Sequence, residues 1–156
     1  MRLLRPIWNT KIKYKYEEPL YAALFLYLHN MNDITNRTDL LHLMRQFYTK
    51  LLSDDAISYI FTDIAKIDLE AHLPHLADFW EQTLLHQGSY RKNVMQIHLE
   101  LNEKEPLRPE HFQIWLEHFN KTVDEHFEGS NSELIKTRAL SIATIMQLKI
   151  SQKNHN

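Results

Sequence analysis

Four side chains that can do chemistry fall on apolar helical stripes: Tyr48, His72, His98 and Trp115. His98 lies in "RKNVMQIHLEL", where Val94, Ile97, His98 and Leu101 recur at i, i+3, i+4 and i+7. That spacing gathers them on one helical face. An imidazole, a phenol or an indole N–H turned into a core costs free energy unless it finds a partner. A lone histidine on such a face is most often a hydrogen-bonded core residue. Four inward polar groups together suggest a shared polar cavity or a bound group. The chain has no cysteine. Disulfides, thiol catalysis and Cys-ligated zinc are therefore excluded, and histidine is the natural ligand if a transition metal is present.

Other chemistries find little support. Of the ten histidines, His42, His75, His86, His111, His118 and His126 sit beside or off the stripes, and His111 and His118 read as solvated. His72 and His75 stand at i, i+3, a spacing that can hold zinc, but no HExxH motif accompanies them. Two glycines cannot build a phosphate-cradling or dinucleotide loop, nor the turns of a hairpin-rich β protein. No GxSxG elbow and no paired carboxylates in an apolar setting are present. The net charge is −2 and no basic stripe is interleaved with aromatics, so no nucleic-acid partner is expected.

The elements that must position these residues are helices. At 156 residues, with 44% apolar and 24% charged residues, the chain fits one soluble domain. Leu40, Leu41, Leu43, Met44, Phe47, Tyr48, Leu51 and Leu52 predict a first helix, with Thr38 as its N-cap. "AISYIF" predicts a short turn or helix. Leu69, His72, Leu73, Leu76, Phe79, Trp80, Thr83 and Leu84 form the next stripe, with Pro74 in its first turn or at a kink and Gly88 ending it. A short helix carries His98. Pro109 opens the next, whose face is Phe112, Trp115, Leu116, Phe119, Val123 and Phe127. In the last, Ile135, Ala139, Ile142, Ala143, Met146 and Ile150 are broadened by Leu134, Ile145 and Leu148, which predicts contacts on two sides. The expected class is all-α: an N-terminal extension (1–32), a main domain (33–151) and a polar tail (152–156). The extension is basic and aromatic, then apolar over 20–28. That run is too short for a transmembrane segment, which needs roughly 20 residues, and reads as a packed helix or, less commonly, a membrane-surface or partner-binding segment.

In order along the chain, "NRTDLLHLMRQFYTKLLSDD", "IF", "HLPHLADFW", "LL", a tyrosine followed eight residues later by His98, "PLRPEHFQIWLEHFNKTVDEHF" and "IKTRALSIA" resemble the group III truncated hemoglobins. The resemblance runs over roughly residues 33–150 and rests on several separated motifs. It implies a truncated globin fold, a two-over-two helical sandwich around haem b. His98 matches the proximal iron ligand, Tyr48 the distal tyrosine and Phe47 its aromatic neighbour. His72 matches the distal gate histidine, and Trp115 the tryptophan beside the bound ligand. The chain departs from the family in places. Ser58-Tyr59 replaces Gly-Pro before "IF", and Leu69 stands where tryptophan is frequent. Tyr90-Arg91-Lys92-Asn93-Val94 replaces Tyr-X-Gly-Asn-Pro before the proximal helix.

Haem is a flat, mostly apolar disc. Leu76, Phe79, Trp80, Ile97, Leu101, Phe112 and Met146 are expected to line its slot, and Arg91 and Lys92 to meet its propionates. A neutral imidazole at His98 would give a lone pair to iron, its other N–H bonded to a carbonyl nearby. Tyr48 and Trp115 would donate to O₂, favouring tight, slow binding of O₂, NO or CO at five-coordinate iron. His72 would gate the pocket or itself ligate iron. A reductase and a cytoplasmic location are expected. Two other readings remain: a haem redox enzyme acting on peroxide or NO, and a haem-free helical interaction module.

Overall fold

The computed structural model describes residues 31–88 and 90–154. The N-terminal extension, with its expected helix and apolar run, lies outside the described residues up to residue 30. The described helices all lie in one compact unit, Asn32–Asn156. They are α1 (Arg37–Leu51), a π-helical turn (Ile60–Ile64), α2 (Leu69–Leu85), α3 (Val94–Lys104), α4 (Pro109–His126) and α5 (Ser130–Asn154). The last continues through Gln152 to Asn154, into the expected tail.

Local chemistry sets most boundaries. Asn36, not Thr38, caps α1: its side chain accepts from Asp39 N, and Asp39 accepts in return from Asn36 N. This reciprocal box satisfies two orphan donors where a threonine inside the first turn would satisfy none. Asp68 caps α2 by accepting from the Glu70 and Ala71 amides, and Asn93 caps α3 by accepting from Gln96 N. Pro74 sits in the second turn of α2, where its missing N–H leaves the Glu70 carbonyl without its helical donor. His86 rather than Gly88 ends that helix, in the left-handed region at φ 56°. The turn closes because the His86 and Gln87 amides both reach the Glu81 carbonyl. The last two residues of "AISYIF", Ile60 and Phe61, open the π-helical turn, which Ala65 N closes on the Ile60 carbonyl at 2.9 Å.

The start of α5 depends on a residue far away in the chain. Asp33 accepts from the Asn131 and Ser132 amides, both at 2.8 Å, and from the Ser132 hydroxyl. Burial works to raise the Asp33 pKa, but these bonds outweigh it and hold the carboxyl below its ordinary value. Gly129, at φ 153°, lets the chain pass Asp33; a Cβ there would run into the Asp33 carboxyl carbon.

Two helix pairs form the frame: α1 packs on α2, α4 packs on α5, and α1 joins the pairs through α4. This is the expected two-over-two arrangement. At its centre Phe47 and Phe119 are fully buried among Leu40, Leu43, Leu51, Leu73 and Val123. Each such side chain contributes about 2 kcal/mol by leaving water. α3 packs on α5. α5 thus meets α4 and α3, as its broad stripe predicts, but Leu134, Ile145 and Leu148 are exposed, as is Leu140.

Candidate functional site

His98 projects from the middle of α3. Its Nδ1 lies 2.8 Å from the Val94 carbonyl one turn back. A carbonyl only accepts, so Nδ1 carries the proton and Nε2 keeps its lone pair. Burial lowers the His98 pKa, and the Val94 bond raises it by less. The ring is therefore neutral at pH 7, and its Nε2 has no protein partner among the described residues.

Tyr48 and His72 come from the inner faces of α1 and α2. The Tyr48 oxygen and His72 Nε2 are 3.3 Å apart, with the rings edge to face at 5.6 Å. Burial pushes the Tyr48 pKa up, which keeps the phenol protonated as a donor. Burial likewise lowers the His72 pKa, followed in effect by the charges of His75, Lys92 and His98. The two imidazoles, one on α2 and one on α3, are therefore within electrostatic range of each other.

An aromatic cluster fixes the neighbouring wall. Phe47 meets Tyr48, Trp115 and Phe119 edge-on, with centroids 5.2 to 5.3 Å apart. Trp115 stacks on Phe119 at 5.1 Å and 9°. Such pairs add about 0.5–1.5 kcal/mol each beyond burial and hold ring orientation. Trp115 is half-buried, and no protein acceptor among the described residues takes its indole N–H. Phe61, from the π-helical turn, closes on Tyr48 at 5.8 Å. Sequence pattern passes over Phe61 because a five-residue turn carries no helical period.

The expected apolar lining divides three ways. Leu76, Phe79, Leu101 and Phe112 are half-buried. Trp80 and Met146 are buried, Trp80 stacking on Phe119 within the core. Ile97 is 47% exposed. Arg91 and Lys92 are exposed and line a cavity of about 430 Å³ with Tyr90, His75, Asp78 and Glu81. Arg37 engages both of those carboxylates, at 2.7 and 2.8 Å. Arg91 and Lys92 form no ion pair among the described residues, so both cations remain available to an anion.

The off-stripe histidines are less solvated than expected. His118 bonds Asp54 at 2.7 Å, which lowers the Asp54 pKa. His111 is half-buried and accepts from the Arg108 amide. His42 and His126 meet at 3.4 Å. No group of three or more metal-ligating side chains occurs among the described residues, so the His72/His75 spacing gains no zinc site.

No family model matches the chain. The group 3 truncated hemoglobin ctb of Campylobacter jejuni is 30% identical over 115 residues, covering 72% of this chain and 88% of that protein. The crystal structure of the group III truncated hemoglobin from Campylobacter jejuni superposes with a TM-score of 0.68 at 27% identity, covering 77% of this chain and 94% of that one. The all-α fold described above is thus a truncated globin. The chain belongs to the group III truncated hemoglobins. Membership implies a haem-binding globin, and the residues present fit that group. His98 offers a neutral imidazole whose Nε2 has no partner among the described residues, Leu76, Phe79, Leu101 and Phe112 are half-buried apolar side chains, and Arg91 and Lys92 form no ion pair among the described residues. No described helix is long and apolar enough to cross a membrane.

Proposed function

We propose that this protein holds haem b through His98 and reversibly binds O₂ and related diatomics, NO and CO, on the side of Tyr48, His72 and Trp115. Haem, when bound, supplies an iron that takes up a diatomic ligand and draws negative charge onto it. The observation that carries the reading is the His98–Val94 bond, which fixes the tautomer and leaves Nε2 free to ligate. Leu76, Phe79, Leu101 and Phe112 would cover the ring faces, with Ile97, Trp80 and Met146 completing the slot. Arg91 and Lys92 would hold its carboxylates.

Tyr48 is a buried phenol that stays protonated, and no acceptor among the described residues claims the Trp115 N–H. Both suit donation to a partly negative ligand. In a pocket shielded from water each such bond nets about 1 kcal/mol or more and slows ligand release severalfold. His72 is engaged with Tyr48. That contact favours a gate role over ligation, and so a five-coordinate iron.

The test is the absorption spectrum of purified protein with haem, beside His98→Ala. The wild type is expected to show a strong Soret band and a five-coordinate ferrous spectrum, and the variant to lose or markedly alter both. An unchanged ferrous spectrum in His98→Ala would remove His98 from the site. Failure of the wild type to take up haem would favour the helical interaction module.

A further inference from the structure

The position where this chain departs from the family pattern before "IF" is structurally engaged. The Tyr59 hydroxyl donates to Glu105 Oε1 at 3.2 Å and lies 3.5 Å from His111 Nε2. The Arg108 amide donates to His111 Nδ1 at 3.2 Å. That nitrogen must therefore carry a lone pair, which puts the imidazole proton on Nε2. The donors run in one direction, from His111 to Tyr59 to Glu105. One hydroxyl thereby joins three elements: the residue before the π-helical turn, the residue that ends α3 and the first turn of α4.

α3 has few other restraints. Asn102 is its single buried residue among those described. Beyond its packing on α5, its polar contacts to other segments among the described residues also gather at its C-terminal end, where Asn102 accepts from Leu107 N and Lys153 pairs with Glu103. At its other end, Lys92-Asn93-Val94 stands in place of Gly-Asn-Pro, so no proline stiffens the first turn. Phe61, two residues beyond Tyr59, touches Tyr48, so the same short turn reaches both walls of the site.

We propose that Tyr59 is a positioning residue for His98: its hydroxyl, held between His111 and Glu105, fixes the end of α3 and with it the aim of the His98 ring. The need for such aim rests on the haem reading above.

Tyr59→Phe removes the donor and keeps the ring. Amide hydrogen exchange across α3 is expected to rise about tenfold, with α1 and the interior of α4 changing less than about twofold. Glu105→Ala should reproduce this, and Glu105→Gln, whose amide oxygen still accepts, should restore wild-type protection. In the ferrous haem protein, the iron–histidine stretching band should shift in Tyr59→Phe and Glu105→Ala and return in Glu105→Gln. Unchanged α3 exchange, an equal rise in every helix, or an unmoved iron–histidine band overturns the proposal. The exchange arm needs no haem. Should the wild type fail to bind haem, the functional reading falls while exchange still decides whether Tyr59 holds α3.

Discussion

The chemistry at the residue scale rests on two fixed protonation states. The Val94 carbonyl makes His98 an Nδ1–H tautomer, and burial keeps the Tyr48 phenol protonated. Two predictions belong here. Replacing Tyr48 with Phe should raise the O₂ dissociation rate about 5- to 10-fold, the loss of one shielded hydrogen bond. Stopped-flow displacement of O₂ measures this, and an unchanged rate would remove Tyr48 from contact with the ligand. Trp115→Phe keeps the stack on Phe119 and should raise the same rate by a smaller factor. Because Phe47 touches both Tyr48 and Trp115, the double variant should fall short of the product of the single effects. The helical period reveals Tyr48, His72, His98 and Trp115 as inward residues. It does not reveal that Tyr48 and His72 meet at 3.3 Å, since that depends on how α1 crosses α2.

At the scale of elements, the helix ends show where local sequence is sufficient. Asn36 and Asp39 define the start of α1 within four residues of chain, and Asp68 and Asn93 act as locally. α5 is different, because its cap is Asp33, 98 residues before Asn131. Asp33→Ala should lower stability by about 1–3 kcal/mol, the range for losing a cap with several charge-assisted bonds. Urea denaturation measures it. Gly129→Ala forces the same aspartate aside and should cost at least as much. The two changes act on one contact, so the second should add little once the first is made. Independent, additive losses would mean that Asp33 does not cap α5. No sequence period announces this cap, or the Tyr59–Glu105 bond, because each joins positions far apart in the chain.

For the molecule as a whole, the titrating groups give stability a definite pH profile. His72 and His98 have folded-state pKa values below the ordinary histidine value, chiefly through burial. Below about pH 6.5 the unfolded chain binds protons that the folded one refuses. Their contribution is full above that pH and is lost as the pH falls through the depressed folded values. Asp33 and Asp54, also lowered, lose theirs further down, below the ordinary carboxylate range. The melting temperature of the haem-free protein should therefore be flat from pH 8 to 7 and begin to fall near pH 6. His98→Leu, which cannot be protonated, should flatten the upper part of that fall. A melting temperature that rises on acidification would contradict the burial of both histidines.

The sequence by itself determined the helical class, the inward residues and the family, because apolar period and motif order are properties of neighbours along the chain. It misplaced the cap of α1 at Thr38 and the end of α2 at Gly88, where a reciprocal box and a left-handed histidine settle geometry that propensity alone does not rank. It also placed Leu134, Ile145 and Leu148 on the covered stripe of α5, where all three are exposed. Only the tertiary structure decided which helix borrows Asp33, which carboxylate takes the Tyr59 hydroxyl, and that Tyr48 meets His72. Those outcomes depend on three-dimensional approach at the distance of a hydrogen bond, and helical period specifies a face without specifying the atom that meets it.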